Sequence, residues 1–235
     1  MKTVLLGDTH GKKIWKDILL KEQPSRVVFM GDYFDHCKLS GYEQLKNFEH
    51  IISLKIANPD NVILLLGNHD VNYFNGFLDG DITGFQPEMS PRFNSILEDN
   101  KHLLQIAYKF DNILCTHAGV SPLFMSEIFG DQWNKDNVDV CLNDLWKYRP
   151  LYFRFRGLNS YGDHILESPI WIRPRSLMKS GKETKKDYIQ VVGHTQFRKI
   201  DIKGKSTGGR YYFIDSLEFG QYLVVEDGKI KLGKI

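Results

Sequence analysis

Apolar residues along this chain gather in short unbroken runs, and each run ends beside a chemically active side chain. "KTVLLG" (residues 2–7), "RVVFMGD" (26–32) and "NVILLLGNHD" (61–70) are continuous enough to predict strands buried on both faces. Between them the period changes. "KKIWKDILLKEQ" (12–23) gathers Ile14, Trp15, Ile18 and Leu19 on one helical face and stops at "QPS". "GYEQLKNFEHIISLKIANPD" (41–60) brings Leu45, Phe48, Ile52 and Ile56 round at helical spacing and stops at Asn58-Pro59. Strand, helix, strand, helix, strand predicts a sheet with right-handed crossovers and helices on its outer face.

Two further apolar strands, "NILCTHAG" (112–119) and "DYIQVVGHT" (187–195), flank an aromatic- and arginine-rich insert at about 121–180. From Arg198 onward "RKIDIKG", "RYYFIDS" and "QYLVVEDGKIKLG" read as short strands, with turns at "KSTGG" and "EDGK", the latter a hairpin. The expectation is α/β followed by antiparallel β within one domain, 1–235: two sheets packed face to face with helices outside.

Composition narrows the function classes. The 235 residues suffice for one substantial core, and 42% hydrophobic with 26% charged residues describes an ordinary globular chain. A formal net charge of +2 gives no bulk case for nucleic acid or membrane, although a local basic patch stays open. Cys37, Cys115 and Cys141 are too scattered for a disulfide framework or zinc ribbon, which favours a reducing compartment. With no apolar run of signal or membrane-spanning length, the expected location is the cytoplasm. The oligomeric state is left open.

The strand ends carry the chemistry. "GDTHG" delivers Asp8 and His10, "GDYFD" Asp32 and Asp35, "GNHD" Asn68 and His69, "THAG" His117, and "GHT" His194. In open α/β sheets ligands bind outside the carboxyl ends of strands, where loops converge. Asp, His and Asn suit Mn, Fe, Zn or Mg rather than copper or an iron–sulfur cluster. Loop order groups Asp8 and His10 around one metal and Asn68, His117 and His194 around a second, with Asp32 the candidate bridge. Two ions about 3.5–4 Å apart can bind a phosphoryl group and stabilise both attacking and leaving oxygens. Any one Asp or Asn alone is better read as a helix cap or turn residue; three histidines at other strand ends turn the balance.

Those five motifs, in that order, resemble the calcineurin-like metallophosphoesterases, nearest the branch shared by phosphoprotein phosphatases and diadenosine tetraphosphatases, of bacterial or phage type. "SPIWIRPR" and "FIDSLEFGQYLVVE" resemble later segments of such members. The resemblance implies a four-layer α/β/β/α sandwich of two mixed sheets. It places Asp8, His10 and Asp32 on one metal, and Asp32, Asn68, His117 and His194 on the other. It makes His69 the acid that protonates the leaving group, with Asp35 holding it. The implied activity is in-line attack by a metal-bound hydroxide on phosphate esters, foremost monoesters, with Mn the first choice in assay. The open alternatives are hydrolysis of dinucleoside polyphosphates or nucleotides, a phosphodiesterase on RNA ends or cyclic nucleotides, and an inactive binding scaffold. Substrates in view are a phosphorylated small molecule, a nucleotide or a phosphoprotein.

The sequence also departs from its relatives. Where eukaryotic-type protein phosphatases carry phosphate-gripping arginines, this chain has His36 and Leu66; where nuclease-type relatives carry a second histidine after "GH", it has Gln196. Arg173 is therefore the favoured phosphate contact, with Arg175, His36 or Arg149 next in line. Pro174 between the arginines suggests an extended stretch in which both face one site. Asp70 reads as a cap or supporting group, His50, His102 and His164 as ordinary histidines, Cys37 as structural and Cys115 as core. "WKYRPLYFRFRG" interleaves Arg149, Arg154 and Arg156 with aromatics. This suits either base stacking with phosphate contact, or aromatics packed inward with arginines in water.

Overall fold

The computed structural model describes residues 1–77, 82–180, 188–203 and 211–235. Its first half follows the apolar pattern: β1 (Lys2–Leu6), α1 (Ile14–Glu22), β2 (Arg26–Phe29), α2 (Gly41–Ala57) and β3 (Val62–Leu65), then a single-turn helix α3 (Asn68–Val71). Next come α4 (Ser90–Asp99) and the short strands β4 (Leu104–Gln105) and β5 (Ala107–Phe110), then β6 (Ile113–Thr116). The insert forms α5 (Pro122–Phe129), α6 (Val138–Tyr148) and α7 (Pro174–Ser180), and the chain finishes as β7 (Ile189–Val192), β8 (Asp201–Lys203), β9 (Tyr211–Phe213), β10 (Gln221–Glu226) and β11 (Lys229–Lys234). The turn expected at "KSTGG" lies outside the described residues.

Two mixed sheets result. One has the order β11-β10-β1-β2-β3-β4 and the other β5-β6-β7-β9-β8. Alternate side chains explain the layers. Leu5, Val28 and Ile63 from the first sheet meet Ile113, Cys115 and Val191 from the second in an inter-sheet core. Val4, Leu6, Phe29 and Leu64 turn the other way, onto Trp15 and Ile18 of α1 and Phe48 and Ile51 of α2. On the far face of the second sheet, Val192 and Phe213 pack with Leu177 of α7. This is the expected α/β/β/α sandwich. Among the described residues no helix is long and apolar enough to cross a membrane.

Several expectations are refined, and one is overturned. The C-terminal strands pair antiparallel as expected, β8 with β9 and β10 with β11 through the Asp227-Gly228 hairpin, but the two pairs are divided between the sheets: β9 also runs parallel to β7 in the second, while β10 pairs antiparallel with β1 in the first. One edge of the first sheet is β11, whose exposed lysines discourage pairing with another chain. Arg173 and Arg175 do not lie on an extended stretch, because Pro174 opens α7 at its first position, where its missing N–H costs nothing. In the arginine-rich segment Trp146 and Phe153 pack inward, Tyr152 and Phe155 are half-buried and Tyr148 is exposed, while Arg156 pairs with Glu127 at 2.8 Å.

Ile56 is also misplaced by its spacing. The buried stripe of α2 runs through Gln44, Asn47, Phe48, Ile51 and Ile52. From Gln44, Ile56 sits roughly 120° round the helix, and it is 63% exposed. Gln44 and Asn47 are polar yet buried because they hold neighbours: Gln44 accepts from His36 N and donates to the Leu39 carbonyl, and Asn47 accepts from Trp15 Nε1. Ile56→Lys should change unfolding free energy by less than about 0.5 kcal/mol, whereas Ile51→Ala should cost about 2–5 kcal/mol. Urea denaturation of the two variants compares them directly, and a large loss for Ile56→Lys would place the α2 face wrongly.

Candidate metal centre

Five strand ends of the two sheets converge on one cleft. Asp8 and His10 follow β1, Asp32 and Asp35 follow β2, Asn68 and His69 open α3 after β3, His117 follows β6 and His194 follows β7. The first two loops are tied together, since His10 N donates to the Asp32 carbonyl at 2.7 Å. Asp70 ties the second to the third: its carboxylate accepts from Asp32 N and Tyr33 N at 2.7 Å and from Gly67 N at 2.9 Å. The supporting role expected of Asp70 is thus a three-fold backbone clasp. Burial, with Asp32 close by, pushes its carboxyl up to about 7 despite those donors.

Three histidines are locked by one nitrogen each. His10 Nδ1 meets the Phe34 carbonyl at 2.5 Å, His117 Nδ1 that of Met30 at 2.7 Å, and His194 Nε2 that of Trp171 at 3.0 Å. A carbonyl can only accept, so each of those nitrogens carries the proton and the other presents a lone pair. His117 Nε2 lies 3.2 Å from His194 Nδ1, and Asn68 Oδ1 lies 3.1 Å and 2.9 Å from these two. With the amide oxygen turned this way, three acceptors face one point with no proton between them, which is the arrangement a cation satisfies. Burial reinforces it by driving the His194 imidazole well below its ordinary range and His10 down to about 3.

Carboxylates complete both groups. Asp32 Oδ2 stands 3.3 Å from His117 Nε2 and 3.9 Å from His10 Nε2, while Asp8 accepts from His194 N at 2.9 Å. Ligand atoms of Asp8, His10 and Asp32, and separately of Asp32, His117 and His194, lie within 4.8 Å of one another, so Asp32 belongs to both. Burial works to raise the Asp32 carboxyl, but His117, His69 and His10 hold it well below the usual range. Asp8 goes the other way, raised by burial and by Asp215 and Asp32. The donor set of neutral imidazoles, carboxylates and an amide oxygen fits divalent Mn, Fe, Zn or Mg.

The cleft above has a volume of about 480 Å³ and is lined by His69, Asp35, His36, Arg173 and Lys12 among others. His69 Nδ1 meets Asp35 Oδ2 at 2.9 Å, which leaves Nε2 4.0 Å from Asp32 Oδ2. Burial opposes a charged His69, yet Asp32 and Asp35 outweigh it and raise the imidazole. Arg173 is held by Tyr161 O at 2.7 Å, His194 O at 3.1 Å and Thr195 Oγ1 at 3.2 Å. Arg175 is exposed on α7 and does not line the cleft. His36 lines it, its Nδ1 accepting from Lys38 N and Leu39 N.

Sequence reasoning missed Asp215, Lys12 and Tyr73. Asp215 follows β9, an apolar run ending in a carboxylate, so the strand-end rule already contained it. Lys12 lies two residues past His10 with no periodic signal of its own. Tyr73 comes four residues after His69, about one helical turn on, and donates to Asp35 Oδ1.

Fold and site together define a metal-dependent hydrolase of phosphate esters. The chain belongs to the calcineurin-like phosphoesterase family, whose model matches residues 1–225. Among solved structures it is similar to a mutant of a cold-active protein tyrosine phosphatase, at 18% identity over 99% of this chain and 77% of that one, TM-score 0.59. A protein serine/threonine phosphatase from Saccharomyces cerevisiae matches at 18% identity over 100% and 80%, TM-score 0.59. A structure provisionally assigned as a diadenosine tetraphosphatase matches at 16% identity over 99% and 93%, TM-score 0.50. At such identities the shared property is the fold.

Gly67 shows how tightly the loops are drawn together. Its φ of −102° suits any residue, but a Cβ there would stand 2.0 Å from Asp32 Oδ1. Gly67→Ala should therefore fold and yet bind Mn about 10-fold or more weakly, because the carboxylate must move. Titration calorimetry with Mn tests this, and parent-like affinity would mean that the carboxylate has room to spare.

Proposed function

We propose that this protein is a phosphomonoesterase that uses two divalent ions sharing Asp32. The observation that carries the reading is the presence of Asp32 in both ligand groups, directly beneath the Asp35-held His69. Asp8, His10 and Asp32 would hold one ion, and Asp32, Asn68, His117 and His194 the other. When bound, such ions supply Lewis-acid activation of water and neutralise phosphoryl oxygens.

The chain's own residues do the rest. Asp35 holds His69 by Nδ1, so Nε2 gives its proton to the departing alkoxide oxygen. Arg173 has Nε and Nη1 engaged with Tyr161, His194 and Thr195, and among the described residues Nη2 has no bond to the protein. Nη2 can therefore donate to a dianionic phosphate in the cleft, which His36 and Lys12 also line. Gln196, at the place of the nuclease-type histidine, donates to Glu218 Oε2 at 2.9 Å, which favours a monoesterase over a diesterase. Mn is the proposed ion for assay.

Two measurements test this reading. Asp32→Asn should lose both ions, whereas His117→Ala should mainly empty one site; two equivalents retained by purified Asp32→Asn would remove the sharing role. A panel of phosphorylated compounds assayed with Mn should release phosphate chiefly from monoesters. On that panel His69→Asn should keep its metals and lose about 10²–10⁴-fold on alkyl phosphates, which need an acid, with a much smaller loss on p-nitrophenyl phosphate. Equal losses across leaving groups would contradict the acid assignment.

A further inference from the structure

Behind His69 and Asp35 the hydrogen bonding continues inward. Asp35 Oδ2 meets His69 Nδ1 at 2.9 Å, and its other oxygen, Oδ1, accepts from the Tyr73 hydroxyl. The phenol oxygen in turn accepts from Gln86 N at 3.1 Å. Every member is ordered by its neighbours. Tyr73 is 2% exposed; its ring stacks on Phe85 with centroids 5.0 Å apart and meets Phe34 and Phe93 edge-on. Asp35 sits in the left-handed region at φ 68°, a conformation aspartate tolerates better than most residues, and packing restrains it there. One such restraint is Gly84, whose absent Cβ would stand 2.4 Å from the Asp35 carbonyl oxygen.

We propose that Tyr73 is a positioning residue for the leaving-group acid, extending the His69–Asp35 pair to a chain of Gln86 N–H, Tyr73, Asp35 and His69. A carboxylate bonded through one oxygen can swing about its Cβ–Cγ bond; bonded through both, it cannot. The Tyr73 bond therefore fixes the Asp35 plane, and the Asp35 plane fixes the imidazole and keeps its proton-bearing Nε2 over the cleft. Tyr73 touches neither the cleft nor a ligand atom of the metal groups, so its influence on the reaction passes through Asp35. The inference rests on His69 acting as the acid.

The test is a double-mutant comparison in the Mn-loaded enzyme. Tyr73→Phe keeps the ring and its stacking on Phe85 and removes only the hydroxyl. Thermal unfolding and metal stoichiometry check that fold and ions are intact. The expected result is a kcat about 10-fold lower for alkyl phosphates, within the share a general acid supplies, with kcat for p-nitrophenyl phosphate and KM for both little changed. In the His69→Asn background, Tyr73→Phe should cost nothing further. Equal losses on both leaving groups, a parent-like kcat, or an additional loss on top of His69→Asn would each overturn the proposal. If His69→Asn itself shows no dependence on leaving group, the acid assignment fails and Tyr73 falls with it. If His69→Asn shows that dependence and Tyr73→Phe does not, only the Tyr73 proposal falls.

Discussion

The site depends on three imidazoles each being pinned through one nitrogen to a backbone carbonyl. Phe34, Met30 and Trp171 supply those carbonyls. None of the three rings can turn its lone pair away without breaking a buried bond. The lone pairs of His117 and His194, the amide of Asn68 and the carboxylates of Asp8 and Asp32 are therefore held facing one another. Folding without cations must bear that repulsion and desolvation, so the free energy of metal binding is partly free energy of folding.

Close approach of the loops is the second requirement, and small residues meet it. Gly67 lies against Asp32 and Gly193 against Asp8, each at a distance that a Cβ would violate. Both glycines have room in their backbone conformation for a side chain but no room in space. Gly31 is different: at φ 98° its backbone itself favours glycine. Asp70 then clamps the drawn-together loops from below, using a carboxylate that never faces the cleft.

Much of this was legible in the sequence because strand ends and ligand chemistry are both local signals. The first three strands, α1 and α2, and the positions of Asp8, His10, Asp32, Asn68, His117 and His194 at strand ends followed from runs of five to ten residues. What was not legible depends on partners far along the chain. The antiparallel C-terminal pairs were legible, but their division between the sheets was not: β10 joins β1 and β9 joins β7, a choice no local pattern encodes. Arg175 was misjudged because Pro174 serves a helix start as readily as an extended stretch. Tyr73 was missed because nothing in "DVNYFNGF" marks its hydroxyl, and here it is core and hydrogen-bond donor at once.

One contact carries a consequence for how the molecule comes into being. His194 N donates to Asp8 across a separation of 186 residues. Groups this remote can meet only after both sheets have formed and packed, since β1 places one and β7 the other. High separation between paired groups slows folding, because chain entropy is lost before the contact rewards it. A half-made chain thus offers scattered histidines and carboxylates, and the cluster they form in the fold exists only once assembly is complete.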